Sequence, residues 1–444
     1  MLKNRRFFWD YGKTMAMLTL VLGALASPAV FALDTPVSGI AEDLALRLKL
    51  FDAWFIETPS RVTSRPALLE VLPGGGRVEV RTERIRDEFG IVLAREFSRS
   101  FPGWAQGSWV ITRSMKDGSL VRIRFFPRSD PYTYIQFYPL DGERSLMDVI
   151  AYDAYLARSV VVPLSLEHIL SAPLQEVLRT LKQTALVRYF EPHPEDYQNI
   201  RALLGGVRRL LPGLSFADDG AINENGEYVF IKTLEPQKEN FGLNCSGFVK
   251  WLVDGLLRPV TGRRLPIFPL KQRYGERGSS FTEPYEQSRD PFFGLDWIRN
   301  LASAVGLTLK SPAFTVLDEI EVRECPFSEV IVRTGRTSRT VPYTGFLPDA
   351  GFDIKNLKAL LYTLAINEPD TVYLGAVNAE LPPKPRTRQY FHVAAFFPYF
   401  DGYGTFHILV FESAAETPFN RFVARYPVHH VNLVRIPVET AFDP

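Results

Sequence analysis

The sequence predicts an α+β fold in two parts, and three observations carry that reading. Residues 34–190 hold short β-branched or aromatic runs separated by turn signals. Residues 191–444 place apolar residues at helical spacing first and in alternating runs last. The chain of 444 residues is 46% hydrophobic, which suffices for two or three domains that bury a core without staples.

The opening residues stand apart from that fold. Lys3, Arg5, Arg6 and Lys13 precede an apolar run at 15–26, followed by Ser27-Pro28 and Val30-Phe31-Ala32. This pattern predicts a secretory signal peptide over 1–32, cleaved after Ala32, and hence a periplasmic or secreted mature chain. The alternative is an uncleaved N-terminal anchor. No later stretch approaches the ~20 apolar residues of a spanning helix.

An accessory domain is expected at 34–190. It opens with an amphipathic stretch at 40–56 and continues with strands at 77–82, 91–97, 108–113, 120–126 and 132–138, a small antiparallel sheet. Its polar residues alternate along the strands as on a solvated face, and no chemical motif interrupts them. The second domain, 191–444, predicts helices at 195–211, 245–257, 295–305 and 354–364, then strands at 371–377, 392–397, 406–411 and 428–437. The Pro-, Gly- and Arg-rich stretch 258–290 reads as irregular.

Charge and motif exclude several functions. Lys plus Arg number 51 against 50 Asp plus Glu, so the chain lacks the basic surplus that wrapping nucleic acid requires. There is no phosphate-binding Gly-rich loop, no Cys-x-x-Cys and no His-Glu-x-x-His, which leaves nucleotide and zinc chemistry without support, and no cofactor is expected. His429 and His430 are neighbours, so on a strand they face opposite ways and read as surface or packing residues.

The two cysteines are the informative residues. In an exported chain Cys245 and Cys325 first suggest a disulfide. Yet Cys245 follows Asn244, a good N-cap, and precedes a face marked by Phe248, Leu252 and Leu256. It therefore falls in a first helical turn, where unpaired N–H groups and the helix dipole stabilise a thiolate. A buried packing cysteine remains the alternative on position alone. His392 and His407 lie on consecutive strands. If Asp401-Gly402 centres their hairpin the two share a face four residues out of step, and if the centre lies nearer Tyr399 they stand opposite each other. A base on one strand, oriented by a polar group on its neighbour, is what a Cys-His nucleophile requires.

Asn-Cys-Ser-Gly-Phe at a helix start, then His-Val-Ala-Ala-Phe-Phe opening a strand and a hairpin with a second His, resembles the NlpC-type cysteine peptidases of bacterial cell walls. The resemblance covers about 90 residues, at 228–257 and 371–437. It implies a papain-like C-terminal domain, with Cys245 as nucleophile, His392 as general base and His407 as the residue that orients it. Tyr228, Asn244 and Ser246 would then border the substrate, and peptidoglycan stem peptides would be the partner. Three departures stand out. Cys245 and His392 are 147 residues apart, so an insertion at about 258–350 is expected between helix and sheet. Asn244 replaces an Asp that in the family helps bind a free stem-peptide amine, so little preference for that amine is expected. Ala394 replaces a glycine. Seven Lys and Arg against four acids in 258–290, with Lys384, Arg386 and Arg388 before His392, suggest a mildly positive groove for stem-peptide carboxylates, against the plainer reading of solvated loops.

Overall fold

A computed structural model describes residues 42–181, 184–189, 193–275, 290–309, 317–335, 337–381, 387–438 and 441–444. The expected signal segment, residues 276–289, Lys384 and Arg386 lie outside them.

The first part of the chain is an antiparallel meander of eight strands: β1 (Leu68–Val71), β2 (Arg77–Ile85), β3 (Glu88–Arg95), β4 (Trp109–Ser114), β5 (Leu120–Phe125), β6 (Thr133–Pro139), β7 (Ser145–Ala151) and β8 (Ala154–Val162). Alternation decides which face is buried. Val78, Val80, Ile91, Leu93, Trp109, Ile111, Ile123, Phe125, Ile135, Phe137, Met147 and Val149 all point to one side and are buried there. The helical segments Leu44–Leu50, Phe51–Ile56, Leu166–Ser171 and Leu174–Arg179 cover that side with Leu46, Leu50, Trp54, Phe55, Ile169, Leu170 and Val177. Each large apolar side chain so buried contributes about 1.5–3 kcal/mol, which is why the pattern prevails over local propensity. The five expected strands are present, but the sheet is not small. β1, β7 and β8 were not expected, because they follow no clean alternation.

A short hairpin, β9 (Gly220–Ile222) and β10 (Tyr228–Phe230), precedes the helix Cys245–Thr261. The expected insertion then contributes a hairpin of its own, β11 (Glu329–Thr334) and β12 (Thr337–Pro342). It does not form a separate body. Val330 pairs with Ala154, so β11 and β12 extend the meander to ten strands. Hence the insertion and the N-terminal part share one sheet.

The last part is a six-stranded antiparallel sheet in the order β13 (Phe352–Asp353), β18 (His430–Pro437), β14 (Thr371–Leu381), β15 (Thr387–Phe400), β16 (Phe406–Glu412) and β17 (Ala415–Pro418). Helices Cys245–Thr261 and Phe293–Thr308 pack on one face, against Val372, Leu374, Val393, Ala395, Phe397 and Ile436. Helices Leu357–Asn367 and Phe419–Arg425 close the other face, against Tyr373, Ala394, Phe396, Val410 and Leu433. The architecture is mixed α+β with two large antiparallel sheets. Among the described residues no helix is long and apolar enough to cross a membrane.

Candidate active site

Cys245 is the first residue of its helix. The side-chain oxygen of Asn244 accepts the Gly247 N–H at 2.8 Å, which caps the helix and turns the carboxamide oxygen inward. Gly247 is required by a close approach: a Cβ there would sit 2.0 Å from the carbonyl oxygen of Gly220 in β9. The Asn244 N–H donates to that same carbonyl, and the indole of Trp297 donates to the Ser246 carbonyl at 3.0 Å. Thus a strand and a second helix clamp the turn that carries the thiol.

His392 is aimed by an irregularity. Val377 pairs with His392 and Asn378 with Tyr390, so Phe391 is an extra residue that bulges from β15 just before the histidine. β16 pairs with β15 only up to Ala395, leaving a notch beyond its end. Cys245 stands close enough to the His392 ring and the Val393 N–H for both to act on its thiol. On the other side the His392 Nε2 lies 2.6 Å from Oε2 of Glu412, the last residue of β16. The second oxygen of Glu412 accepts from the Thr417 hydroxyl and from Arg425, each at 2.7 Å. Tyr426 lays its ring near the imidazole, centroids 5.8 Å apart.

The electrostatics follow from those contacts. Burial pushes the Cys245 thiol up, but the hydrogen bond and charge of His392, the Val393 N–H and the Ser246 hydroxyl outweigh it, and the net shift is downward. Burial pulls His392 down, whereas Cys245 and Glu412 overcome it and the imidazole is pushed up to about 9. Burial likewise raises Glu412, but His392, Thr417 and Arg425 hold its carboxyl at about 2. The shifts favour charge on all three groups: a thiol pushed toward its ionised form, a raised imidazole and a lowered carboxyl. That arrangement can attack an electrophilic carbonyl and protonate a leaving group.

His407 does not take part. The β15–β16 pairing opposes Tyr399 to His407 and Phe400 to Phe406, so the hairpin is centred on Tyr403. Asp401 sets that turn: its Oδ1 accepts the Tyr403 and Thr405 N–H groups, and its backbone carbonyl accepts the Gly404 N–H where Gly404 adopts a φ of 73°. His407 consequently falls on the face opposite His392, stacks on Tyr399 and pairs with Asp401 at 2.8 Å. The expected orienting role belongs by geometry to Glu412.

The other expected residues are distributed as follows. Ser246 is buried beside the thiol and helps to stabilise its ionised form. Asn244 spends its oxygen on the helix cap. Tyr228 packs on Phe241 at 5.8 Å, and among the described residues no hydrogen bond joins it to Cys245 or His392. Cys245 and Cys325 are both free, which corrects the disulfide alternative, and Cys325 donates to the Phe327 carbonyl. Arg388 is occupied by Asn378 at 2.7 Å and Glu380 at 3.0 Å, so it is a structural tie rather than an open cation. Arg258 and Arg264 both donate to the Pro444 carbonyl oxygen. His429 packs edge-on against Phe391 and Tyr426, in keeping with a packing role. Among the described residues there is no cluster of three His, Cys, Asp or Glu side chains able to hold a metal ion.

A family model described as a domain of unknown function, DUF8515, matches residues 36–189. That match covers the β1–β8 meander and ends before Cys245. No curated protein and no solved structure matches the chain.

Proposed function

We propose that this protein is a papain-like cysteine hydrolase that cleaves an amide bond in the peptide part of peptidoglycan, acting outside the cytoplasm. The observation that carries the reading is the helix-start Cys245 facing a His392 whose far nitrogen is held by Glu412. The substrate class rests on the NlpC-type resemblance of the Cys245 and His392 segments.

In this reading the Cys245 thiolate adds to the scissile carbonyl, and the Cys245 N–H, which has no acceptor within its own helix, donates to the oxyanion. His392 gives its proton to the departing amine as the C–N bond breaks, leaving a thioester. Water then attacks the thioester, His392 takes the water proton, and the carboxylic acid departs as the thiolate re-forms. Glu412 keeps its charge throughout and holds the imidazole in the productive tautomer.

The test is digestion of purified peptidoglycan with the mature chain, reading new amino termini and soluble fragments. The wild type should release both, Cys245→Ala neither, and Cys325→Ala as much as the wild type. Release that survives Cys245→Ala, with the fold intact by circular dichroism, contradicts the proposal.

A further inference from the structure

The ten-stranded sheet has a second face, opposite its helices, and a cavity of about 180 Å³ lies there where β5 to β8 meet the β11–β12 hairpin. Its wall carries Arg124, Arg333, Arg339, Tyr134, Tyr155 and Gln136. The acids around it are already committed. Asp153 accepts from Arg333 through both Nε and Nη2, at 2.9 and 2.5 Å, and Glu329 pairs with Arg158. Arg124 donates Nε to Gln136 at 2.8 Å and lies 4.7 Å over the Tyr134 ring, yet among the described residues it has no carboxylate partner. Arg339 is exposed and likewise has no such partner among them. Burial, together with the like charges of Arg122 and Arg333, makes the Arg124 cation harder to hold. A partly desolvated guanidinium without a counter-ion costs stability, and a fork of N–H donors matches an oxyanion in shape and charge.

We propose that this cavity is a binding site for an oxyanion, a carboxylate or phosphate on a small ligand, held by Arg124 and Arg339 between the meander and the inserted hairpin. The volume is enough for one charged group and its nearest substituents. The site stands apart from Cys245 and does not depend on the hydrolase reading.

Isothermal titration of the full mature chain at low ionic strength, with inorganic phosphate, glucuronate and glucose as separate probes, tests it. At least one of the two anions should bind, the tighter one showing whether the source is a free anion or a sugar-borne carboxylate, and glucose should not bind. Arg124→Gln and Arg339→Ser should each weaken the binding by about tenfold, and added salt should weaken it further. Arg339 is exposed, so its variant keeps the test open if Arg124→Gln melts early. No heat from either anion, equal binding of glucose, or unchanged affinity in the Arg339 variant would overturn the proposal.

Discussion

Glu412 is the residue on which the site turns, because it holds the His392 ring and, with Cys245, raises it. Replacing it by Gln keeps a hydrogen-bond partner but removes the negative charge that favours the imidazolium. We expect the upper limb of the pH profile of kcat/KM to lie near 9 in the wild type, and to move to lower pH in Glu412→Gln with an activity loss of about 10²-fold. An unmoved limb would mean that another group protonates the leaving amine. Stability follows these two groups and Cys245. His392 is raised above its ordinary 6.5, so its contribution is full below that value and is lost as pH rises through about 9. Glu412 is lowered to about 2, so its contribution is present above its ordinary 4.5 and is lost as pH falls toward 2. Cys245 is lowered, so its contribution grows as pH rises toward the ordinary thiol range and opposes the loss at His392. Denaturant midpoints against pH should therefore fall as pH drops below roughly 4.5 toward 2, with no comparable fall between 6.5 and about 9. His407, paired with Asp401 on the other face, predicts the opposite of a catalytic residue: His407→Ala should leave kcat within about twofold of the wild type.

At the scale of elements, the clamped helix start makes a sharp prediction. Gly247→Ala puts a Cβ 2.0 Å from the Gly220 carbonyl, so the helix must shift away from β9. We expect it to lower the melting temperature and to abolish thiol activation together. Asn244→Ala, which removes only the cap, should cost about 1 kcal/mol while hydrolysis persists. The helix start was legible because Asn-Cys-Ser-Gly encodes a cap and a close approach in four adjacent residues. The five strands of the meander and the four strands of the last sheet were legible from alternation for the same local reason. The histidine pairing was not. Asp401-Gly402 looks like a two-residue turn, but the Asp401 side chain and the positive φ of Gly404 close a longer one, and this moves every cross-strand partner. The bulge at Phe391 likewise leaves no mark in the spacing, and no local motif singles out Glu412.

For the whole molecule, the inserted hairpin completes the first sheet, and Tyr362 and Phe400 of the second part are buried in the core of the first. The Tyr362 hydroxyl donates to the Tyr189 carbonyl and the Tyr197 hydroxyl to the Ala365 carbonyl, tying helix Leu357–Asn367 to the segment that follows the meander. Separate folding of the two parts would leave those aromatic faces in water. We expect calorimetry of the chain to show one cooperative transition, and Tyr362→Ala to cost about 3–5 kcal/mol and move that single transition. Two resolved transitions would show that the parts are energetically independent.

The proposed chemistry depends most directly on the ionisation of one sulfur. With Cys325 replaced by Ser, the rate of iodoacetamide alkylation against pH reads the pKa of Cys245 alone. We expect a midpoint below the ordinary thiol value of about 8.5, moved upward by His392→Ala and by Glu412→Gln. A midpoint at or above the ordinary value, unchanged in both variants, would contradict the thiolate–imidazolium pair and with it the catalytic reading.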